Sequence, residues 1–125
     1  MNRAGHARYD ALTPPHSKWL VAPPIHSAAM EIEALQRTIA ATYLERDRER
    51  GVDATFRWFT EEVGELARAI RTGERPELVH EFSDVLAWLA SLANLLEIDL
   101  ASAMARYSNG CPKCNAQPCV CPMQR

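Results

Sequence analysis

From Met30 to Leu96 the apolar residues recur at steps of three and four, and nowhere in the chain do they alternate with a period of two. A helix gathers residues three and four apart on one face, whereas a strand needs strict alternation. The pattern therefore predicts an all-α fold without a sheet. Ile32, Leu35, Ile39 and Tyr43 set one stripe over residues 30–50, which Arg46 and Arg50 continue until Gly51 stops the helix. A second helix is expected over 54–72, with Asp53 as N-cap and Phe56, Phe59, Val63, Leu66, Ala67 and Ile70 on one face; Gly73 ends it. A third runs over 76–97 from Pro76, a residue suited to a first turn. Leu78, Val79, Phe82, Val85, Leu86, Trp88, Leu89, Leu92, Leu95 and Leu96 make it apolar on most sides, which predicts a central, buried helix. Asp99 caps a short fourth helix over 100–107.

The 125 residues suit one domain. Residues 1–29 hold two Pro-Pro pairs and no helical period, and read as a disordered tail ahead of a helical domain at 30–110. Met30 stands where the helical pattern begins and is a candidate start codon, which an intact mass of the native protein tests. The net charge of -2 offers no general attraction to nucleic acid or an anionic membrane, so an anionic substrate has to be held by local cations or bound metal. No apolar run reaches the length of a membrane span, and none follows Arg3 and Arg8 as in a secretory signal. A cytoplasmic protein is expected, with its four cysteines reduced.

The acids on the second and third helices are the feature that points to chemistry. Each residue advances about 100° around a helix, so Glu62 and Glu65 lie about 60° apart, with Trp58 between them and Glu61 turned further out. Glu81 and Asp84 repeat the spacing on the most apolar helix, with Trp88 between them. Ionised carboxylates in apolar surroundings are costly unless paired or coordinated, and two facing pairs repel. A divalent cation relieves both, and hard oxygen ligands suit Mg²⁺ or Mn²⁺. The competing reading is a set of surface salt bridges from Glu61, Glu62 and Glu65 to Arg57, Arg68 and Arg71.

Two segments, Trp58-Phe59-Thr60-Glu61-Glu62-Val63-Gly64-Glu65-Leu66-Ala67 and Glu81-Phe82-Ser83-Asp84-Val85-Leu86-Ala87-Trp88-Leu89, resemble the MazG-like nucleotide pyrophosphohydrolases, whose signature is E-x-x-E, a variable spacer, then E-x-x-D. Ile98-Asp99-Leu100-x-x-Ala103 is similar to the start of that family's next helix, so the resemblance covers roughly residues 30–110. It implies a bundle of four antiparallel helices that hydrolyses nucleoside triphosphates between the α and β phosphates. It also implies Glu62, Glu65, Glu81 and Asp84 as metal ligands, one of these acids or Glu61 acting on the attacking water, and a homodimer or homotetramer whose partner subunit completes each pocket. Trp58 and Trp88 share the acid faces, as stacking platforms for a base or as ordinary core residues. Arg46 and Arg50 either reach phosphate oxygens or pair with Glu45 and Glu49. The family often carries a basic residue beyond its last helix start; here Arg106 is followed by Tyr107 and Asn109. A neighbouring substrate class is another nucleotide, such as phosphoribosyl-ATP.

Cys111, Cys114, Cys119 and Cys121 follow as C-x₂-C-x₄-C-x-C in a tail at 111–125. The Cys-Pro-Lys-Cys piece looks like a zinc knuckle, and four thiolates would complete a closed tetrahedral Zn²⁺ site; the alternatives are reduced bystanders or redox-labile thiols. His80 reads as a helix-surface partner of a nearby acid. An alternative function of a different class is a non-catalytic oligomerisation or interaction module with a zinc-binding tail.

Overall fold

In a computed structural model that describes residues 30–123, the chain folds into three long helices, α1 (Ile32–Arg50), α2 (Val52–Thr72) and α3 (Arg75–Leu95), and a short α4 (Leu100–Met104) that runs on into a 3₁₀ turn at Ala105–Tyr107. No strand occurs among the described residues. The tail at 1–29 and the candidate start at its border lie outside or at the edge of them. No single described helix is long and apolar enough to cross a membrane.

Gly51 is the only residue between α1 and α2, with φ +85°. It caps both helices at once: its N–H closes α1 on the Asp47 carbonyl, and its own carbonyl accepts the Thr55 N–H. Asp53 thus falls inside the first turn of α2 rather than capping it. Gly73, left-handed at φ +76°, closes α2 on the Ala69 carbonyl, and Pro76 sits in the first turn of α3. The third helix stops at Leu95, two residues short of the expected end. Glu97 takes φ +56°, its N–H bonds Asn94 O at 3.3 Å and the Ile98 N–H bonds Ala93 O at 2.8 Å, the paired bonds that finish a helix. Asp99 stands at the N-cap of α4, its carboxylate accepting the Ser102 hydroxyl, which holds that carboxyl below the usual range.

α3 packs against both α1 and α2, which meet each other far less. It runs antiparallel to α2: the Thr72 hydroxyl donates to Glu77 at the hairpin, and further from the turn the pairing steps to Glu62 with Trp88. Gln36 ties the far end of α1 to the chain after α3. Its side chain donates to Ile98 O (2.7 Å) and accepts from Leu100 N (2.9 Å), and its carbonyl accepts from Asn94 Nδ2 (3.2 Å). The buried apolar set is small: Ile39, Ala69, Leu78, Ala90, Leu92 and Ala93.

The expectation that α3 is enclosed holds only on the side facing α1 and α2. Val79, Phe82, Leu86 and Leu89 are exposed on it, and on α2 Phe56, Val63 and Ile70, expected in the core, are exposed as well. Three helices form an open layer, and a layer covers only one face of its central helix.

Candidate active site

All three long helices come together near residues 84–88 of α3, beside the Gly51 junction. Glu62 on α2 and Glu81 and Asp84 on α3 bring one carboxylate oxygen each within 4.8 Å of one another. The i, i+3 spacing puts Glu81 and Asp84 on one side of α3, and the antiparallel hairpin carries Glu62 to meet them. Glu81 is buried at 8% exposure, the least exposed of the three. Partial burial pushes the Glu62 carboxyl above its usual range, and the charges of Asp84, Glu81 and Glu61 push it further. The Trp88 indole N–H, which donates to Glu62 Oε1 at 3.2 Å, opposes them.

Glu65 lies outside this cluster. One turn on from Glu62, its carboxylate is engaged by the Arg68 guanidinium, three residues along the same helix. Glu61 is exposed and borders the site only through its charge on Glu62. His80, one turn before Asp84, brings Nε2 to 3.1 Å from Asp84 Oδ2, the acid-partner role expected of it.

Trp58 and Trp88 stack on each other, with ring centroids 5.9 Å apart and planes 12° from parallel. Trp88 is half-buried at the site rather than enclosed in the core. The Arg50 guanidinium carbon lies 4.8 Å from the centre of the Trp88 ring, within cation–π range. Beside this group opens a cavity of about 240 Å³ lined by Tyr43, Arg46, Asp47, Arg50, Asp84 and Trp88, among others. Both arginines of the α1 stripe therefore border the same space as Asp84. Arg50 pairs with Asp47 at 2.8 Å, not with Glu49, and Arg46 forms no ion pair among the described residues.

Asp47 is the residue that sequence reasoning missed. It is 2% exposed, and its second carboxylate oxygen has no hydrogen-bond partner among the described residues. It lies one turn beyond Tyr43 on the same stripe, so the spacing carried the signal while the surrounding charges concealed it.

The donor set fits a hard divalent cation. Three carboxylates crowd together, with only one indole N–H and one imidazole on them, so their charge is not offset by fixed cations. The four cysteines form a separate cluster in the C-terminal turn.

The family model described as MazG nucleotide pyrophosphohydrolase domain matches residues 50–113, a little over half of the chain. The matched span includes α2, α3, α4 and every acid of the cluster, while α1 lies before it except for Arg50. No curated protein matches the chain.

Proposed function

From a chain that belongs to the MazG nucleotide pyrophosphohydrolase family, we propose a cytoplasmic enzyme that hydrolyses (deoxy)nucleoside triphosphates at the α–β bond, releasing a nucleoside monophosphate and pyrophosphate. The observation that supports it best is the convergence of Glu62, Glu81 and Asp84 beside a cavity bordered by Arg46, Arg50 and Trp88. In this reading those three acids hold Mg²⁺ or Mn²⁺, and Glu65 is the fourth ligand once it exchanges Arg68 for the ion. When bound, such an ion neutralises phosphate charge and acidifies a water.

The chain's own groups do the rest. Trp88 fixes the orientation of Glu62 through its indole N–H. Glu62, with Glu61 as the other candidate, orients the attacking water and takes its proton. Arg46 and Arg50 neutralise phosphate oxygens, and the exposed Trp58 offers its ring to the base, with Trp88 stacked beside it. Little covalent machinery is required, because phosphoryl transfer rests mainly on positioning and charge stabilisation. Residues 30–110 serve as the catalytic domain, and the cysteine turn takes no part in the reaction.

A second copy of the chain covers the exposed apolar stripes of α2 and α3, as a homodimer or within a homotetramer. Leu86→Asp is expected to give a monomer by light scattering, and a wild-type chain that is itself monomeric at micromolar concentration removes this part. The reaction is tested by Mg²⁺-dependent pyrophosphate release across canonical and modified nucleotides. The Glu62→Ala, Glu81→Ala double variant should abolish release; release undiminished in that variant overturns the assignment.

A further inference from the structure

The fold ahead of the cysteine turn does not explain why four sulfur atoms meet there. From Asn94 to Met123 no residue is buried, so the segment has no apolar core to hold it. It has no regular structure beyond Tyr107. Yet the four Sγ atoms of Cys111, Cys114, Cys119 and Cys121 lie within 4.8 Å of one another.

The sulfur spacing identifies what fits between them. Cys111 and Cys121 place their sulfurs 3.9 Å apart, and Cys114 and Cys119 3.8 Å apart. A disulfide needs about 2.05 Å, and all four thiols are free. Four thiolates at about 2.3 Å from a tetrahedral ion lie about 3.8 Å from each other, the edge of that tetrahedron. Both pairs fall on that edge.

The backbone is arranged for the same purpose. The Cys111 N–H bonds Ala116 O at 3.1 Å and the Asn115 N–H bonds Cys111 O at 2.7 Å, folding the chain between the first two cysteines into a tight turn. The Cys121 N–H points at Cys119 Sγ from 3.4 Å, the kind of donor that supports a metal-bound thiolate. Gly110 enters the turn at φ +96°, and a Cβ there would stand 2.7 Å from Ala116 O. Only glycine permits that approach.

We propose that Cys111, Cys114, Cys119 and Cys121 form a closed tetrathiolate Zn²⁺ site that holds the C-terminal turn in place of an apolar core. With four protein ligands and no open position, the ion is structural. Soft thiolates select it, whereas the hard oxygens around Glu62 suit Mg²⁺ or Mn²⁺, so the two clusters would not compete for one ion. The site is independent of the pyrophosphohydrolase reading.

The test is metal analysis of the full chain purified in reducing, metal-free buffer, followed by Co²⁺ replacement. One zinc per chain is expected, and the Co²⁺ form should show the intense visible bands and near-ultraviolet thiolate charge transfer of a tetrahedral sulfur site. Cys114→Ser and Gly110→Ala should each release zinc to a chromogenic chelator at least tenfold faster than wild type. If either variant fails to fold, the wild-type Co²⁺ spectrum still decides. The Glu62→Ala, Glu81→Ala variant should keep its zinc, which separates this site from the acidic cluster. A wild-type chain that carries no zinc while its four thiols react freely, that carries iron instead, or that pairs its thiols as disulfides under reducing conditions overturns the proposal.

Discussion

Neutralising Glu62 should stabilise the metal-free protein while abolishing its response to magnesium. Three carboxylates lie within 4.8 Å of one another. At that separation two charges repel by about 0.9 kcal/mol in water and about 3.5 kcal/mol at an effective dielectric constant of 20. The cluster is only partly buried, so solvent screening brings the value to about 1 kcal/mol per pair. Glu62 faces two such acids, and Gln retains an oxygen to accept the Trp88 N–H. Glu62→Gln is therefore expected to gain about 1 to 2 kcal/mol, or about 4 to 8 °C in Tm for a chain of this size, in EDTA at neutral pH. The sign with pH follows from the raised carboxyl. A group whose folded pKa lies above its unfolded one opposes folding at neutral pH, and that penalty disappears as pH falls through the folded value towards the ordinary 4.5. The gap between variant and wild type should thus close on acidification across that window.

Magnesium should reverse the order. An ion at a hundredfold its dissociation constant stabilises the folded state by about 2.7 kcal/mol, and this gain needs the Glu62 charge. Wild type in Mg²⁺ should melt above Glu62→Gln in Mg²⁺, having melted below it in EDTA. Thermal melts by circular dichroism at both metal conditions and several pH values provide the check. If Glu62→Gln lowers the metal-free Tm, or gains as much from Mg²⁺ as wild type, the cluster is not a repulsive set awaiting a cation.

Two further substitutions probe the surroundings of the acids. Trp88→Phe keeps a ring for Trp58 and Arg50 but removes the N–H to Glu62; losing about 1 kcal/mol of orientation should raise the Mg²⁺ concentration for half-maximal activity roughly fivefold, and an unchanged Mg²⁺ dependence counts against it. Arg50→Ala leaves Asp47, 2% exposed, without its charge partner and should cost about 3 kcal/mol of stability in urea unfolding. The Asp47→Leu, Arg50→Met double variant should recover most of that loss, and a double variant as unstable as the single one would show that the pair matters through packing rather than charge.

The helices were legible because their signals are local. Apolar residues at three- and four-residue steps, broken by Gly51 and Gly73, mark α1, α2 and α3 to within two residues at each end. The misses arise where one residue serves two elements or adopts an unusual conformation. Gly51 caps α1 and α2 together, which removes the cap from Asp53, and Glu97 takes a left-handed conformation that its side chain does not announce. In the site, periodicity put Glu62, Glu81 and Asp84 on facing sides of a hairpin, and they do meet. Glu65 followed the other reading open to it, the salt bridge to Arg68, because its 60° offset carries it towards solvent. Asp47 was hidden among Glu45, Arg46, Arg48 and Glu49, and its burial, beside Asp84 and Trp88 of α3, is a tertiary fact.

The division of the site between helices bears on how such an enzyme would choose its substrate. Every acid of the cluster lies on α2 or α3, inside the span that matches the family model. Tyr43, Arg46 and Asp47, which border the cavity from α1, lie before that span. The acids proposed to hold the metal thus all belong to the matched helices. In the proposed reading Arg46 and Arg50 of α1 meet phosphate oxygens and Trp58 of α2 meets the base, which leaves Tyr43 as the uncharged cavity residue before the matched span, with no phosphate role. Gly51 is what brings the two together, since a straight continuation of α1 into α2 would carry Arg50 and Asp47 away from Trp88. Tyr43→Phe is expected to change the ranking of nucleotides by kcat/KM, several-fold between bases or sugars, whereas Arg46→Gln should lower kcat/KM about equally for every nucleotide; in both, the Mg²⁺ concentration for half-maximal activity should stay fixed. Steady-state kinetics over the nucleotide panel at varied Mg²⁺ measure both quantities. A Tyr43→Phe variant that lowers activity equally for every nucleotide would leave α1 with phosphate binding alone, an Arg46→Gln variant that changes the ranking would take Arg46 off the phosphates, and a shifted Mg²⁺ requirement in either would place α1 in the metal site itself.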